Sequence, residues 1–288
     1  MAPNAAHRPG DPCWVDVYSS DPDRTIAFYG ELFGWTAERD DDFGGYTTFR
    51  SGGKAVGGGM GRMPDDPDSP DQWTVYLAVE DAEATAKAAV AHGGQVVVAP
   101  MAVGDLKSMA ILGDSAGAGV GIWQAGTFGG FETAGLVEGG QWRDHHGAPS
   151  WFELTTGDFT GSVEFYRAVF GWDDLFPISD TPEFRYSTLH STSPMLGGVM
   201  DGSTFLPPGS PGGWSMYFGA DDVDATVAKA VRLGATVTAP AEDTPMDGWP
   251  PSSTRTAHDS ASAATRAEHR PTSPADRGCA HVPSPACR

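Results

Sequence analysis

Residues 14–35 read WVDVYSSDPDRTIAFYGELFGW, and residues 151–172 read WFELTTGDFTGSVEFYRAVFGW. The stretches share an opening Trp, a central Phe-Tyr and a closing Phe-Gly-Trp, all at an offset of 137 residues. Working outward, Gly57-Gly58 matches Gly197-Gly198 at 140, and Trp73 and Asp81 match Trp214 and Asp222 at 141. Ala99-Pro100 matches Ala239-Pro240 at 140. Loop insertions produce so small a drift, so the chain is a duplication. A period near 140 is too long for a solenoid and suits two like domains.

The same stretch sets the local structure. Residues 13–18 alternate as a strand. Asp21-Pro22 then opens a helix, with Asp as N-cap and Pro in the first turn. Ile26, Tyr29, Leu32 and Phe33 form one helical stripe, which Val163, Tyr166, Val169 and Phe170 repeat. Gly34 and Gly171 stop the two helices. Short strands are predicted around 46–50, 55–59, 185–190 and 197–200. From Trp73 the order restarts: strand 74–79, helix 82–92, then strands 95–99, 108–112 and 119–124. The expected fold is α+β, with paired βαβββ modules in each half. The first domain spans 11–125, a Gly-rich linker 126–147, and a second domain with a truncated last module 148–246.

Composition narrows the function. Lys plus Arg is 18 against 38 Asp plus Glu, a net charge of −20, which argues against nucleic acid and anionic membranes as partners. The chain has no apolar run of 18 residues and no signal-like N-terminus, so a cytoplasmic location is expected. The three cysteines, Cys13, Cys279 and Cys287, lack metal-site spacing and suit a reduced protein without disulfides. The expected partner is a small-molecule ligand; the oligomeric state stays open.

Residues 247–288 break the pattern. They hold no Leu, Ile, Met, Phe or Tyr, but six Pro and ten Ser plus Thr, a composition that cannot bury a core. The second domain nevertheless still needs its last strands there. One permitted coding of residues 249–262, read two bases later, gives AAVLDPHGARFSI, which aligns with residues 110–122 of the first half. Two readings follow: a one-base frameshift near Met246, or a genuine disordered tail.

The runs DPDRTIAFYGELFGW at 21–35 and AVEDAEAT at 78–85 resemble the vicinal oxygen chelate superfamily of glyoxalase I, extradiol dioxygenases and bleomycin-resistance proteins. The tandem form is similar to two-domain, glyoxalase-like actinobacterial proteins, some labelled hydroxylase. The resemblance implies a curved sheet per domain, closing around a cleft. It also implies where metal ligands would stand: a first-strand His, a His or Gln on the matching strand of the next module, and a Glu on a last strand. Those positions fall on Trp14 and Trp151, on Thr74 and Ser215, and on Gly121. Indole, hydroxyl and hydrogen do not build a transition-metal site, so no metal and no cofactor are expected.

Residues two apart share a strand face. Trp14 and Trp151 therefore face the cleft with Asp16 and Glu153, and Tyr76, Trp123 and Tyr217 join them from other strands. Such aromatics either wall a pocket for a flat apolar ligand or fill the sheet interior. Asp16 and Glu153 are the acid–base candidates, with a structural carboxylate as the alternative. Gly57-Gly58-Gly59 lacks the context of a phosphate loop and suits close backbone approach. His145-His146 reads as surface, and Cys13 has no base nearby in sequence. The favoured function is a metal-independent, glyoxalase-like protein that binds or helps modify a hydrophobic oxygenated metabolite, using its first half. The alternatives are a metal-dependent lyase or dioxygenase, and a partner-binding protein with vestigial clefts.

Overall fold

The computed structural model describes residues 7–64, 66, 68–133, 136–138, 141–143, 146–189, 197–238 and 241. The tail at 247–288, its alternative reading frame, and His145 lie outside the described residues. The first half contains β1 (Pro12–Ser19), α1 (Pro22–Phe33), β2 (Thr36–Asp40), β3 (Tyr46–Ser51) and β4 (Lys54–Gly61). The same order repeats as β5 (Gln72–Ala78), α2 (Ala82–Ala91), β6 (Gln95–Val103), β7 (Lys107–Gly113) and β8 (Gly119–Ala125). A short hairpin follows, β9 (Leu136–Glu138) and β10 (Gln141–Arg143). The second half contains β11 (Pro149–Thr156), α3 (Phe159–Phe170), β12 (Phe176–Asp180), β13 (Arg185–Thr188), β14 (Gly197–Asp201), β15 (Gly213–Phe218) and α4 (Val223–Arg232).

The helices begin as the sequence dictates. Asp21, Asp81, Asp158 and Asp222 each accept a backbone N–H of the first turn, from Arg24, Ala84, Gly161 and Ala225 at 2.9–3.0 Å. Gly34 and Gly171 end α1 and α3 in the left-handed region, both at φ 71°. β2 has no signature in the sequence, because all five of its residues are exposed and carry no alternation.

The first eight strands form one sheet in the order β2-β3-β4-β1-β5-β8-β7-β6. Its centre is the antiparallel pair β1–β5, flanked by the parallel pairs β1–β4 and β5–β8. Among the described residues the second sheet runs β12-β13-β14-β11-β15 and repeats the β11–β15 and β11–β14 pairings. In each sheet one face packs on helices, and the other carries the candidate site.

The halves share their cores. α1 lies against α4, and α2 against α3. Trp35 stacks on Tyr29 at 4.9 Å and donates to the Gly147 carbonyl, just before β11, at 2.8 Å. Trp172 stacks on Tyr166 at 4.5 Å and donates to the Gly10 carbonyl, just before β1, at 3.0 Å. Gly10 and Gly147 both have positive φ, 85° and 70°. A Cβ at Gly147 would also stand 2.8 Å from Trp35 Nε1, so glycine is required there.

The segment read as a Gly-rich linker is partly docked. The Phe131 and Glu132 N–H groups donate to the Cys13 and Ala55 carbonyls, each at 2.9 Å. A Cβ at Gly130, where φ is 110°, would strike the Cys13 carbonyl. This segment lays Phe128 and Phe131 against Trp14, with ring centroids at 5.0 and 5.6 Å.

Candidate functional site

The register of β1 with its neighbours brings the site together. Trp14 stands opposite Tyr76, Tyr76 opposite Gly121, and Asp16 between Gly58 and Thr74. A Cβ on Gly58 would meet the Tyr46 hydroxyl and Asp16 Oδ1, and one on Gly121 would meet the Tyr76 ring. The two glycines therefore make the room in which the tyrosines lie across their strands.

Asp16 is the hub. Its Oδ1 accepts the Trp14 indole N–H at 2.8 Å and the Tyr46 hydroxyl. The Tyr46 oxygen also accepts from Trp14 Nε1 at 2.9 Å. Burial, reinforced by the Asp16 charge, pushes the Tyr46 and Tyr76 hydroxyls well above the ordinary tyrosine range, so both remain proton donors. Asp16 and Tyr46 are half-buried and mark the open side of the cluster.

Lys107, on β7, reaches into the same place. Its Nζ lies 3.5 Å from the Trp123 ring centroid, 5.5 Å from that of Tyr46 and 5.7 Å from that of Tyr76. Burial lowers its pKa from the ordinary lysine value, while Asp16 and then Cys13 act to raise it. Burial likewise holds Cys13 as a thiol.

The second half rebuilds the cluster. Trp151 Nε1 donates to the Tyr186 hydroxyl at 3.0 Å, which donates to Glu153 Oε2 at 3.0 Å. The Tyr217 hydroxyl donates to Glu153 Oε1 at 3.3 Å. Burial first, then Glu153, pushes the Tyr186 hydroxyl up. A Cβ on Gly198 would meet that hydroxyl, as at Gly58.

The candidate ligand-binding and acid–base residues thus stand in two clusters, Asp16 with Trp14, Tyr76 and Trp123, and Glu153 with Trp151 and Tyr217. One expectation is corrected. Trp14 has no exposed surface and Trp123 only 2%, because Phe128, Phe131 and each other's rings cover them. They fill the interior and do not offer open faces to a ligand. Sequence reasoning missed Tyr46, Tyr186 and Lys107. The tyrosines were findable: Tyr46-Thr-Thr-Phe49 and Tyr186-Ser-Thr-Leu189 stand 140 apart, like the glycine pairs. Lys107 carries no such signal.

Among the described residues, the positions where the resemblance implies metal ligands carry no donor set for an ion. Trp14, Thr74 and Gly121 offer nothing a transition metal would choose. Among the described residues no three His, Cys, Asp or Glu side chains come together to hold an ion. No helix among them is long and apolar enough to cross a membrane.

Comparison with known proteins agrees with this architecture. The family model described as Glyoxalase/Bleomycin resistance protein/Dioxygenase superfamily matches residues 13–121 and 148–249. The chain is 34% identical over 262 residues to the anthracycline biosynthesis protein DauV of Streptomyces sp. (strain C5), covering 82% of this chain and 86% of DauV. It is 33% identical over 252 residues to the glyoxylase-like protein CFP32 of Mycobacterium bovis, covering 86% and 92%. Among solved structures it is similar to 2,2',3-trihydroxybiphenyl 1,2-dioxygenase of Sphingomonas wittichii RW1, with a TM-score of 0.53 at 15% identity over 83% of each chain, a likeness of fold.

Proposed function

Because the chain belongs to the Glyoxalase/Bleomycin resistance protein/Dioxygenase superfamily, we propose that its first half binds a small, flat, hydroxylated aromatic metabolite without a metal. The role would lie in antibiotic biosynthesis, resistance or detoxification, and the kinship with an anthracycline biosynthesis protein favours the first. The observation that carries this reading is the Asp16–Tyr46–Trp14 cluster. It gathers a carboxylate and a tyrosine hydroxyl around Trp14, the position at which the resemblance implies a metal ligand. Polar groups set in an aromatic surround orient a ring that bears oxygen substituents. In this reading Asp16 accepts a proton from the ligand, and Trp14, Tyr46 and Tyr76 position Asp16. Glu153 holds the corresponding place in the second half. The first half is favoured because it adds Lys107 and Trp123 from its second module.

The test is a titration of the purified chain with 1,4-dihydroxyanthraquinone, followed by tryptophan quenching and by calorimetry, with and without a chelator. Saturable binding that chelation leaves unchanged supports the reading. Binding that chelation abolishes, and that Fe, Mn, Ni or Zn restores, would replace it with the metal-enzyme alternative.

A further inference from the structure

Lys107 is 7% exposed, and its ammonium has no hydrogen-bond or ion-pair partner among the described residues. The groups that face it are Asp16 and Cys13 from β1, Tyr46 from β3, Tyr76 from β5 and Trp123 from β8. Asp16 already accepts from Trp14 and Tyr46. The thiol of Cys13 is turned to the Tyr76 carbonyl at 3.5 Å. The three rings attract the cation through their faces but supply no anionic acceptor. A largely buried side chain with such an ammonium is short of a directly bonded counter-charge, and although β7 lies three places from β1 in the sheet, the side chain reaches far enough to feel the Asp16 carboxylate.

We propose that Lys107 binds an ionised oxygen of the ligand, the phenolate or enolate formed from an acidic hydroxyl on its aromatic ring system. The inference rests on the proposed function of the same site and narrows its ligand to one that ionises there. The ligand O–H bond breaks, its proton passes to the Asp16 carboxylate and on to water, and the electron pair stays on the ligand oxygen beside Lys107 Nζ. Tyr46 and Tyr76 remain protonated and hold Asp16 in place. The ring faces of Trp123, Tyr46 and Tyr76 keep the ammonium aimed inward. In so largely buried a place the pull of the ammonium on an anion is stronger than at the surface. The lowered lysine pKa agrees with a site that lacks its counter-ion.

The experiment follows the visible spectrum of bound 1,4-dihydroxyanthraquinone against pH, because its band moves to longer wavelength on ionisation. The bound probe is expected to ionise about one pH unit or more below the free probe, a tenfold or larger preference for the anion. Lys107→Met should bind the probe yet remove that shift, and Lys107→Arg should keep most of it. Circular dichroism confirms that both variants are folded. If wild type and Lys107→Met ionise the bound probe at the same pH, Lys107 is not the anion's partner and the inference fails while the binding reading stands. If the wild type binds no hydroxyanthraquinone, the reading and the inference fail together.

Discussion

At Lys107 the electrostatic terms can be ranked. Burying an ammonium costs several kcal/mol, and a desolvated cation–π contact returns only about 2 kcal/mol. Burial also outweighs the attraction of Asp16, since the lysine pKa is lowered on balance. Between that lowered value and the ordinary lysine value the unfolded chain holds a proton that the folded chain has lost. Stability therefore rises with pH across the window, and the penalty is complete below it. Lys107→Met should raise Tm at pH 7, by about 2–4 °C for each kcal/mol relieved. Its advantage should shrink as the pH approaches about 10. Calorimetry that finds the variant less stable at pH 7 would mean that Asp16 attraction wins. Tyr46→Phe removes one donor from Asp16 and should weaken probe binding about 5- to 10-fold, whereas Tyr186→Phe should leave it nearly unchanged. The reverse pattern, measured by the same titration, would move the working site to the second half. Trp14→Ala is a poorer probe than the sequence suggests, because emptying so buried a ring site costs about 3–5 kcal/mol of stability. The aspartate, the glutamate and their tryptophans were legible because they repeat at 137. The lysine was not, since a lone Lys in sequence reads as surface, and only the β7–β8 pairing sets it over Trp123.

At the scale of one strand, β4 separates binding from packing. Gly57 faces Val15, where a Cβ would stand 3.0 Å from Cγ2, on the side packed by helices. Gly58 faces Tyr46 and Asp16. Gly57→Ala should lower Tm with little change in probe affinity. Gly58→Ala should lower affinity about tenfold or more by displacing Tyr46, with the circular dichroism unchanged. Equal effects of the two on affinity would show that the cluster does not depend on that gap. Helices, their caps and the inner strands were readable because aspartate N-caps and apolar stripes are local signals. β2 and the hairpin β9–β10 were not, because a fully exposed strand has no buried face to pattern it and a three-residue strand is too short to show one.

Across the whole molecule, the motif that revealed the duplication serves the join between the halves. Phe-Gly-Trp at 33–35 and at 170–172 supplies the two crossed indole bonds. No pattern within one half could show this, since the Trp35 acceptor lies 112 residues away. Trp35→Phe and Trp172→Phe each leave a carbonyl without its donor and should cost about 1–3 kcal/mol. Both should shift one shared unfolding transition, and two separate melts with only one moved by each variant would show that the halves fold independently. The crossed bonds also put the two halves on a clock. The Tyr29–Trp35 stack is completed by Phe218, and its cluster by Ala230 and Ala235. A ribosome that has finished β8 must still make more than ninety residues before Phe218 exists, a wait of about 5–20 s at roughly 5–20 residues per second. During that interval the first sheet stands with one side of its aromatic cluster in water. The nascent chain should then be a client for whatever shields apolar surface at the tunnel exit, and its own second half is what finally releases it.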